Sequence, residues 1–365
     1  MAQIVYALCG TGRGHTSRAV AVADTLRARG HGVTFACGGP GADRLRRRGE
    51  AVAEVPTLRQ VLRRNRVRLW ESARVNLPLT WRSPEIIGAA AETLRDVGAD
   101  LVIGDHEPFV PRAARRLGVP VVALNHQQIL TETRCAVPAR HLLSAWATTA
   151  GIRFLAPTRP EAVVVPTFFS PPLRWRRRAH LVPPILRDDV LASRASPGDH
   201  LLVYVNEGDG LGALLERLGA LDVVVEAYGL PLGVGAPPNV RLHAPDRPAF
   251  LGHLASARAV VATAGFTLLS EAIHLGKPVL ALPNRGFFEQ RVNALYLDRL
   301  GLGESGPSLP SARRLGGFLS RAETYTRPQG SLAAGRAGRA EAADAVDAVL
   351  SGSRRRRAAA RYEAA

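Results

Sequence analysis

Lysine, cysteine and aromatic residues are all scarce in this chain, and each shortage narrows what the protein can be. Of 48 basic residues set against 31 acidic ones, only Lys277 is a lysine, so the net charge of +17 rests on arginine. The arginines are spread through both halves, and with abundant Ala and Gly they read as a genome-composition bias as much as an anion-binding face. Aromatics reach only 5% and no recognisable nucleic-acid module is present, which argues against nucleic acid as the specific partner. The densest runs, residues 59–70, 174–178 and 353–357, read as solvated faces or tails. The three cysteines, Cys9, Cys37 and Cys135, contain no C-x-x-C pair, which excludes a disulfide framework and leaves buried free thiols. No apolar run approaches the roughly 20 residues of a membrane-spanning helix, and the N-terminus enters a strand-like run in place of a signal peptide. The expectation is a cytoplasmic protein.

What is present is an alternation of apolar strands and helical patterns. The run QIVYAL (3–8) precedes a glycine loop, a helical pattern covers 17–29, and GVTFAC (32–37) is the next strand. ADLVIGD (99–105), PRAARRLG (111–118) and VPVVALN (119–125) repeat the unit, and a second series begins at HLLVYVN (200–206). This βαβ rhythm predicts an α/β fold of two Rossmann-like, doubly wound parallel-sheet domains. The boundaries read as 1–165 for the first domain, 166–189 for a linker rich in Pro and Arg, 190–350 for the second domain, and 351–365 for a basic, disordered tail. Ligands of such sheets bind outside the carboxyl ends of the strands. Residues 58–74 read as a basic amphipathic helix, packed on its own sheet or resting on anionic lipid as a peripheral contact at the inner membrane face.

The loop LCGTGRGHTSR (8–18) brings glycines and a helix N-terminus together, an arrangement that suits phosphate. It is not a P-loop, because the G-K-[ST] ending is missing. It is not a dinucleotide fingerprint either, since Gly10, Gly12 and Gly14 give G-x-G-x-G and Ala36-Cys37-Gly38 replace the ribose-binding acid after the second strand. Gly12, Gly14 and Arg18 therefore read as a loop near an acceptor or a phosphate. His15, closing the glycine run, suits proton removal from a hydroxyl near neutral pH, or a helix-capping role. In the second half, Gly265, Phe266 and Thr267 lead into a helix whose backbone N–H groups suit a diphosphate, and Glu271 stands one turn on. Glu289 and Gln290 follow the next strand, at a turn where they suit sugar hydroxyls.

The stretch TAGFTLLSEAIHLGKPVLALPNRGFFEQRVNA (263–294) resembles the donor-site signature of GT-B glycosyltransferases, the superfamily of MurG-like and UDP-glucuronosyltransferase-like enzymes. GTGRGHTSRA, residues 100–128 and LVPPILRDDV (181–190) resemble a MurG-related group within it, so the likeness touches most of the chain. It implies two domains facing a central cleft, the first binding acceptor and the second donor. It further implies that Gly265 and Thr267 contact a donor diphosphate, that Glu271 holds the ribose, and that Gln290 with Glu289 holds the sugar. Thr263 departs from plant-type relatives, which have histidine there, and Ala264-Gly265 replace the longer glycine run of MurG-like members.

On this resemblance the expected reaction is an inverting, metal-independent transfer of a sugar from a nucleotide-diphosphate donor, by analogy a UDP-sugar, to a hydroxyl of a small-molecule, lipid-linked or saccharide acceptor. With no D-x-D sequence, neither a metal nor a cofactor is expected. His15 is the candidate base, with Asp105 and His106 of GDHEP (104–108) as rivals. Asp105 reads either as the orienter of a histidine or as a helix cap. Arg18 and Arg187 are candidates for meeting the departing diphosphate, and His126 for lining the acceptor side. A nucleotide-sugar 2-epimerase of the same fold is the enzymatic alternative; a non-catalytic donor-binding regulator or a nucleic-acid-binding protein are the others.

Overall fold

Along residues 3–8 the side chains divide by parity: Ile4, Tyr6 and Leu8 enter one buried cluster and Val5 and Ala7 another. A strand apolar on both faces must be covered on both, which is the signature of a parallel sheet between helix layers. The computed structural model describes residues 1–63, 66–156, 159–174, 179–205, 211–325 and 335–363. The chain runs through β1 (Gln3–Leu8), α1 (Arg13–Ala28), β2 (Gly32–Cys37), α2 (Gly39–Arg47), β3 (Val52–Glu54), β4 (Leu62–Arg63), β5 (Arg66–Val67), α3 (Leu69–Trp81), α4 (Ser83–Asp96) and β6 (Leu101–Asp105). Next come α5 (Val110–Arg116), β7 (Val121–Leu124), α6 (Ile129–Glu132), α7 (Leu142–Leu155), β8 (Ala162–Pro166), β9 (Ala179–Val182), α8 (Asp188–Ala192), β10 (Leu201–Tyr204), α9 (Leu211–Gly219) and β11 (Val225–Tyr228). The remainder is β12 (Val240–His243), α10 (Arg247–Ser256), β13 (Ala259–Thr263), α11 (Phe266–His274), β14 (Val279–Leu282), α12 (Phe288–Arg299), β15 (Gly303–Ser305), α13 (Ala312–Ser320) and α14 (Gly335–Glu363).

Two compact units result: residues 1–59, 70–187 and 336–365 form the first, and 60–69 with 188–335 the second. The first holds a seven-stranded sheet in the order β3-β2-β1-β6-β7-β8-β9. One face is covered by α1 and α14, the other by α4 and α5. The second unit holds a six-stranded sheet in the order β12-β11-β10-β13-β14-β15. Both are parallel throughout their described pairings. In the first sheet the chain winds outward from β1 on one side and from β6 on the other. The carboxyl ends of β1 and β6, with Leu8 in register with Asp105, therefore open the crevice where loops diverge. The equivalent reversal in the second sheet lies between β10 and β13.

Three sequence expectations need correction. The 166–189 segment is not merely a linker: β9 pairs in parallel with β8 and completes the first sheet, while residues 175–178 lie outside the described residues. The second domain does not keep the chain to residue 350. α14 returns to the first unit, where Ala342, Ala343, Val346 and Leu350 form a buried face at helical spacing. The helix runs on to Glu363, so most of the expected disordered tail is helical. Residues 58–74 are not one amphipathic helix. A short antiparallel pair, β4 with β5, comes first, residues 64–65 lie outside the described residues, and helix begins only at Leu69.

The α14 docking has a direct test. Val346 is fully buried and Ala348 is exposed, so Val346→Asp should cost about 3 kcal/mol or more in urea unfolding, against roughly 0.5 kcal/mol for Ala348→Asp. Equal losses would mean that α14 does not pack on the first core.

Candidate active site

The last residue of β6 is the centre of the first site. Asp105 is fully buried, and two residues of the first turns of α1 converge on it. His15 Nδ1 donates to Asp105 Oδ1 at 2.8 Å. Arg18 donates through Nε to Oδ2 at 3.0 Å and through its terminal nitrogen to Oδ1 and Oδ2 at 2.6 and 2.8 Å. Their spacing of three along the helix puts both side chains on one face, above the end of the neighbouring strand. An ionised carboxylate only accepts, so the 2.8 Å bond to Asp105 favours the imidazole proton on Nδ1 over the longer 3.2 Å approach of the Arg18 terminal nitrogen to the same atom, and leaves Nε2 as the basic nitrogen. The amide of Gln127 lies 3.4 Å from that Nε2. Burial raises the Asp105 pKa, but the charges of Arg18 and His15 outweigh it and hold the carboxyl below its ordinary range.

His106 stands beside the pair with a left-handed backbone, φ 57°, and its ring stacks on His15 at 6.0 Å between centroids and 17° between planes. Burial, followed by the neighbouring His15, pushes its pKa down to about 4, so it is neutral at pH 7. The helix-cap role considered for Asp105 belongs to Glu107, which accepts from the backbone N–H groups of Phe109 and Val110 at 2.8 Å each. Burial raises the Glu107 pKa to about 7 despite those bonds.

The glycine loop owes much of its composition to chain packing. A Cβ on Gly10 would stand 1.8 Å from Gly38 O, and Gly12 has φ +81°. Gly10 N–H donates to Thr57 Oγ1 at 3.1 Å, and Gly12 O accepts from Arg44 at 2.7 Å. Gly14 lies in the first turn of α1. Arg18 is buried and committed to Asp105, so its charge is not the one that meets a departing diphosphate. His126 is also corrected: it is buried, donates from Nδ1 to Pro166 O at 2.7 Å and packs edge-on against Phe169, which makes it a core residue. Arg187 ends the first unit, half-buried. The thiols stay protonated, since burial raises the pKa of Cys9 and Cys135 and takes Cys37 to about 12.

In the second unit, α11 starts at Phe266 with Gly265 as its N-cap, and among the described residues no side chain caps it. The Gly265 N–H itself is taken by Thr263 O at 2.7 Å, so the N–H groups that face outward begin beyond it. A Cβ on Gly265 would meet nothing within 4 Å, so close approach to this backbone is open. Glu271 is buried and receives both terminal nitrogens of Arg247, each at 3.2 Å. Arg247 also donates from Nε to Asp189 at 3.1 Å. Gln290 Oε1 accepts from Asn284 N–H at 2.8 Å, which fixes its side chain across the loop after β14. Asn293 Nδ2 reaches both Ala264 O at 3.2 Å and Glu289 at 3.4 Å, tying α12 to the residues before α11.

His15 and Asp105 are thus brought together with Arg18 in one unit, and Gly265, Thr267, Glu271, Glu289 and Gln290 are gathered around α11 and α12 in the other. Sequence reasoning missed Arg247, Asp189, Gln127 and Glu107. Arg247 follows Asp246, whose side chain caps α10 by accepting from Ala249 N–H, but nothing distinguishes it locally from the many other arginines.

The family profile described as "Glycosyl transferase family 1" matches residues 2–322. An uncharacterised glycosyltransferase of Methanosarcina mazei is 24% identical over 329 residues, covering 82% of this chain and 84% of the relative. Among solved structures, the calicheamicin glycosyltransferase CalG4 superposes with a TM-score of 0.65 at 20% identity, over 96% of this chain and 98% of that one. MurG of Acinetobacter baumannii superposes at 0.60 and 16% identity, over 95% and 99%. LpCGTa, solved in complex with UDP, superposes at 0.61 and 17% identity, over 96% and 100%. The GT-B fold is therefore the observed architecture.

The two titratable groups that follow Asp105 make opposite demands on pH. Unfolded His106 protonates near 6.5 and folded His106 only near 4, so its contribution is complete above pH 6.5 and is lost as pH falls towards 4. Folded Glu107 is raised to about 7 from about 4.3 unfolded, so its contribution is complete at low pH and is lost as pH rises through 7. Between pH 6.5 and 4.5 the two offset each other. In Glu107→Gln only the histidine remains, and unfolding free energy should fall steadily across that window; a flat profile in urea titrations would contradict the assignment.

Proposed function

The chain belongs to glycosyl transferase family 1 and is a glycosyltransferase; from that premise we propose that it moves a sugar from a nucleoside diphosphate, a uridine diphosphate in the first instance, to an acceptor hydroxyl with inversion. The observation that carries the reading is the His15–Asp105 bond of 2.8 Å, with Arg18 closing the other side of the carboxylate. His15 Nε2 takes the hydroxyl proton as the acceptor oxygen bonds to the anomeric carbon. The bond from that carbon to the diphosphate oxygen breaks from the opposite face, and the diphosphate leaves with the electron pair. Asp105 keeps the Nδ1 proton in place and meets the imidazolium charge as it forms. Because Arg18 already offsets part of the carboxylate's charge, that stabilisation stays moderate and Nε2 can release its proton again.

The leaving diphosphate is assigned to the N-terminus of α11, where the backbone N–H groups of Thr267 and Leu268 and the helix dipole supply positive potential without a metal ion. Glu271, held in place by Arg247, retains lone pairs to accept from ribose hydroxyls. Gln290 and Glu289 read the sugar. Neighbours of the same fold solved with UDP and with dTDP support a nucleoside-diphosphate donor. Proton removal and donor binding are thereby assigned to different units and can be uncoupled. His15→Ala should lower turnover by about 100- to 10,000-fold with donor affinity unchanged in calorimetry, whereas Glu271→Ala should weaken donor binding. Unchanged turnover in His15→Ala removes the base assignment, and nucleotide release in the absence of any acceptor would favour the 2-epimerase chemistry of this fold.

For the acceptor, the reading is a lipid-linked or otherwise apolar molecule met at an anionic membrane surface. No helix among the described residues is long and apolar enough to cross a membrane. Instead the first unit exposes large apolar side chains: Trp70 (84%) and Trp81 (78%) on α3, and Leu143 (80%), Trp146 (71%) and Phe154 (70%) on α7. Tryptophans that bury their rings at the headgroup level, together with the arginine excess, suit such a surface. On this reading the contact lies on α3 and α7 and not on a 58–74 helix. Flotation with phosphatidylglycerol vesicles should carry the wild-type protein, and Leu143→Ala/Trp146→Ala should lower the bound fraction severalfold. Equal recovery with neutral and anionic vesicles, or of wild type and variant, would refute it.

A further inference from the structure

On the second sheet, away from the α11 loop, three side chains from three elements converge without a role in the proposed transfer. Glu226 comes from β11, His243 from the end of β12 and His253 from α10. β11 and β12 are in parallel register with Glu226 opposite Arg241 and Tyr228 opposite His243, so all four side chains stand on one face of the sheet. α10 lies on this face through Phe250, whose ring meets Tyr228 edge-on at 5.0 Å and Tyr204 at 5.5 Å. His253, three residues further along the helix, is thereby brought down beside His243, at 4.9 Å between ring centroids. One donor atom from each of Glu226, His243 and His253 lies within 4.8 Å of the other two.

We propose that Glu226, His243 and His253 form a divalent-metal site of the zinc type that clamps α10 to the edge of the second sheet. Two imidazoles and a carboxylate are a donor set that Zn²⁺ accepts, leaving a fourth position for water. The surroundings hold the three in place as outer-shell groups do in metal centres. Arg241 occupies only Glu226 Oε1, at 2.9 Å, which leaves Oε2 facing His243 Nε2 at 2.5 Å. Tyr228 stacks on the His243 ring at 4.9 Å and 21°, and its hydroxyl lies 2.9 Å from His253 Nδ1. His200 Nε2 donates to the backbone oxygen of His253 at 2.9 Å. Glu226 itself is buried.

In this structure His243 Nε2 and Glu226 Oε2 stand 2.5 Å apart. Tetrahedral ligands at about 2.05 Å from zinc stand about 3.3 Å apart, so binding the ion separates the pair by a little under 1 Å. The consequence reaches the donor loop through one helix: Arg247, the first residue of α10, is the partner of Glu271. Fixing α10 fixes the arginine that holds the ribose-binding carboxylate.

The test uses the full chain, stripped with a chelator, desalted and titrated with Zn²⁺ alone, and in parallel with Co²⁺ for its visible spectrum. The expected result is one equivalent bound, a four-coordinate Co²⁺ absorption and a raised Tm. Glu226→Gln and His253→Gln, each shown folded by circular dichroism, should each weaken affinity by at least about 100-fold, since even outer-shell losses cost 10- to 100-fold. His180→Gln, on β9 of the other unit, should bind as wild type. Substoichiometric binding, or full binding retained in both cluster variants, overturns the proposal. The readout is independent of turnover, so its failure leaves the transferase reading untouched.

Discussion

A carboxylate fully removed from water is costly unless its charge is met, and in this protein the carboxyl end of β6 in the first unit is organised around meeting it. Asp105 sits where β6 ends beside β1, and α1 begins immediately after β1, so the same strand reversal that opens the crevice also supplies the two side chains that neutralise the carboxylate. Arg18 provides a permanent countercharge with three short bonds. His15 takes the remaining directional contact. The pair cannot be separated from the fold, because moving α1 by one residue would turn His15 and Arg18 away from the strand end and leave a charge buried alone.

The second unit solves a related problem. Its helix α11 offers backbone donors at a strand end, and its buried acid, Glu271, is held by an arginine from another helix. In both units a buried carboxylate is gripped by arginine in two places, which gives the scarce acidic groups fixed positions amid an excess of positive charge. The proposed transfer would use that fixity: a histidine whose tautomer is set before the acceptor arrives, and a loop before α11 whose geometry does not depend on the ligand.

Most strands and their order of appearance were legible from apolar runs punctuated by Gly and Pro. QIVYAL, GVTFAC and ADLVIGD fold as read, because strands buried on both faces need no partner information to be recognised. The glycine loop was legible as a strand-to-helix turn, but not its cause: Gly10 is small because Gly38 lies against it, a contact across 28 positions that spacing does not encode. β9 was hidden in a Pro- and Arg-rich stretch, since an edge strand of four residues carries too little periodicity to stand out. The 58–74 pattern misled for the opposite reason, because leucines among arginines at helical spacing satisfy the pattern without deciding the conformation.

The sequence by itself determined the two parallel sheets, the glycine turn, the helix N-terminus at Gly265 and the identity of the groups able to do the chemistry, for these follow from local periodicity and residue type. Tertiary structure alone decided that His15, and not His106, receives the Asp105 bond, that Arg18 serves that carboxylate, that Arg247 serves Glu271, and that α14 closes the first core. Those outcomes depend on which distant strand ends and helix faces pack together to remove charge and apolar surface from water, and no stretch of neighbouring residues carries that information.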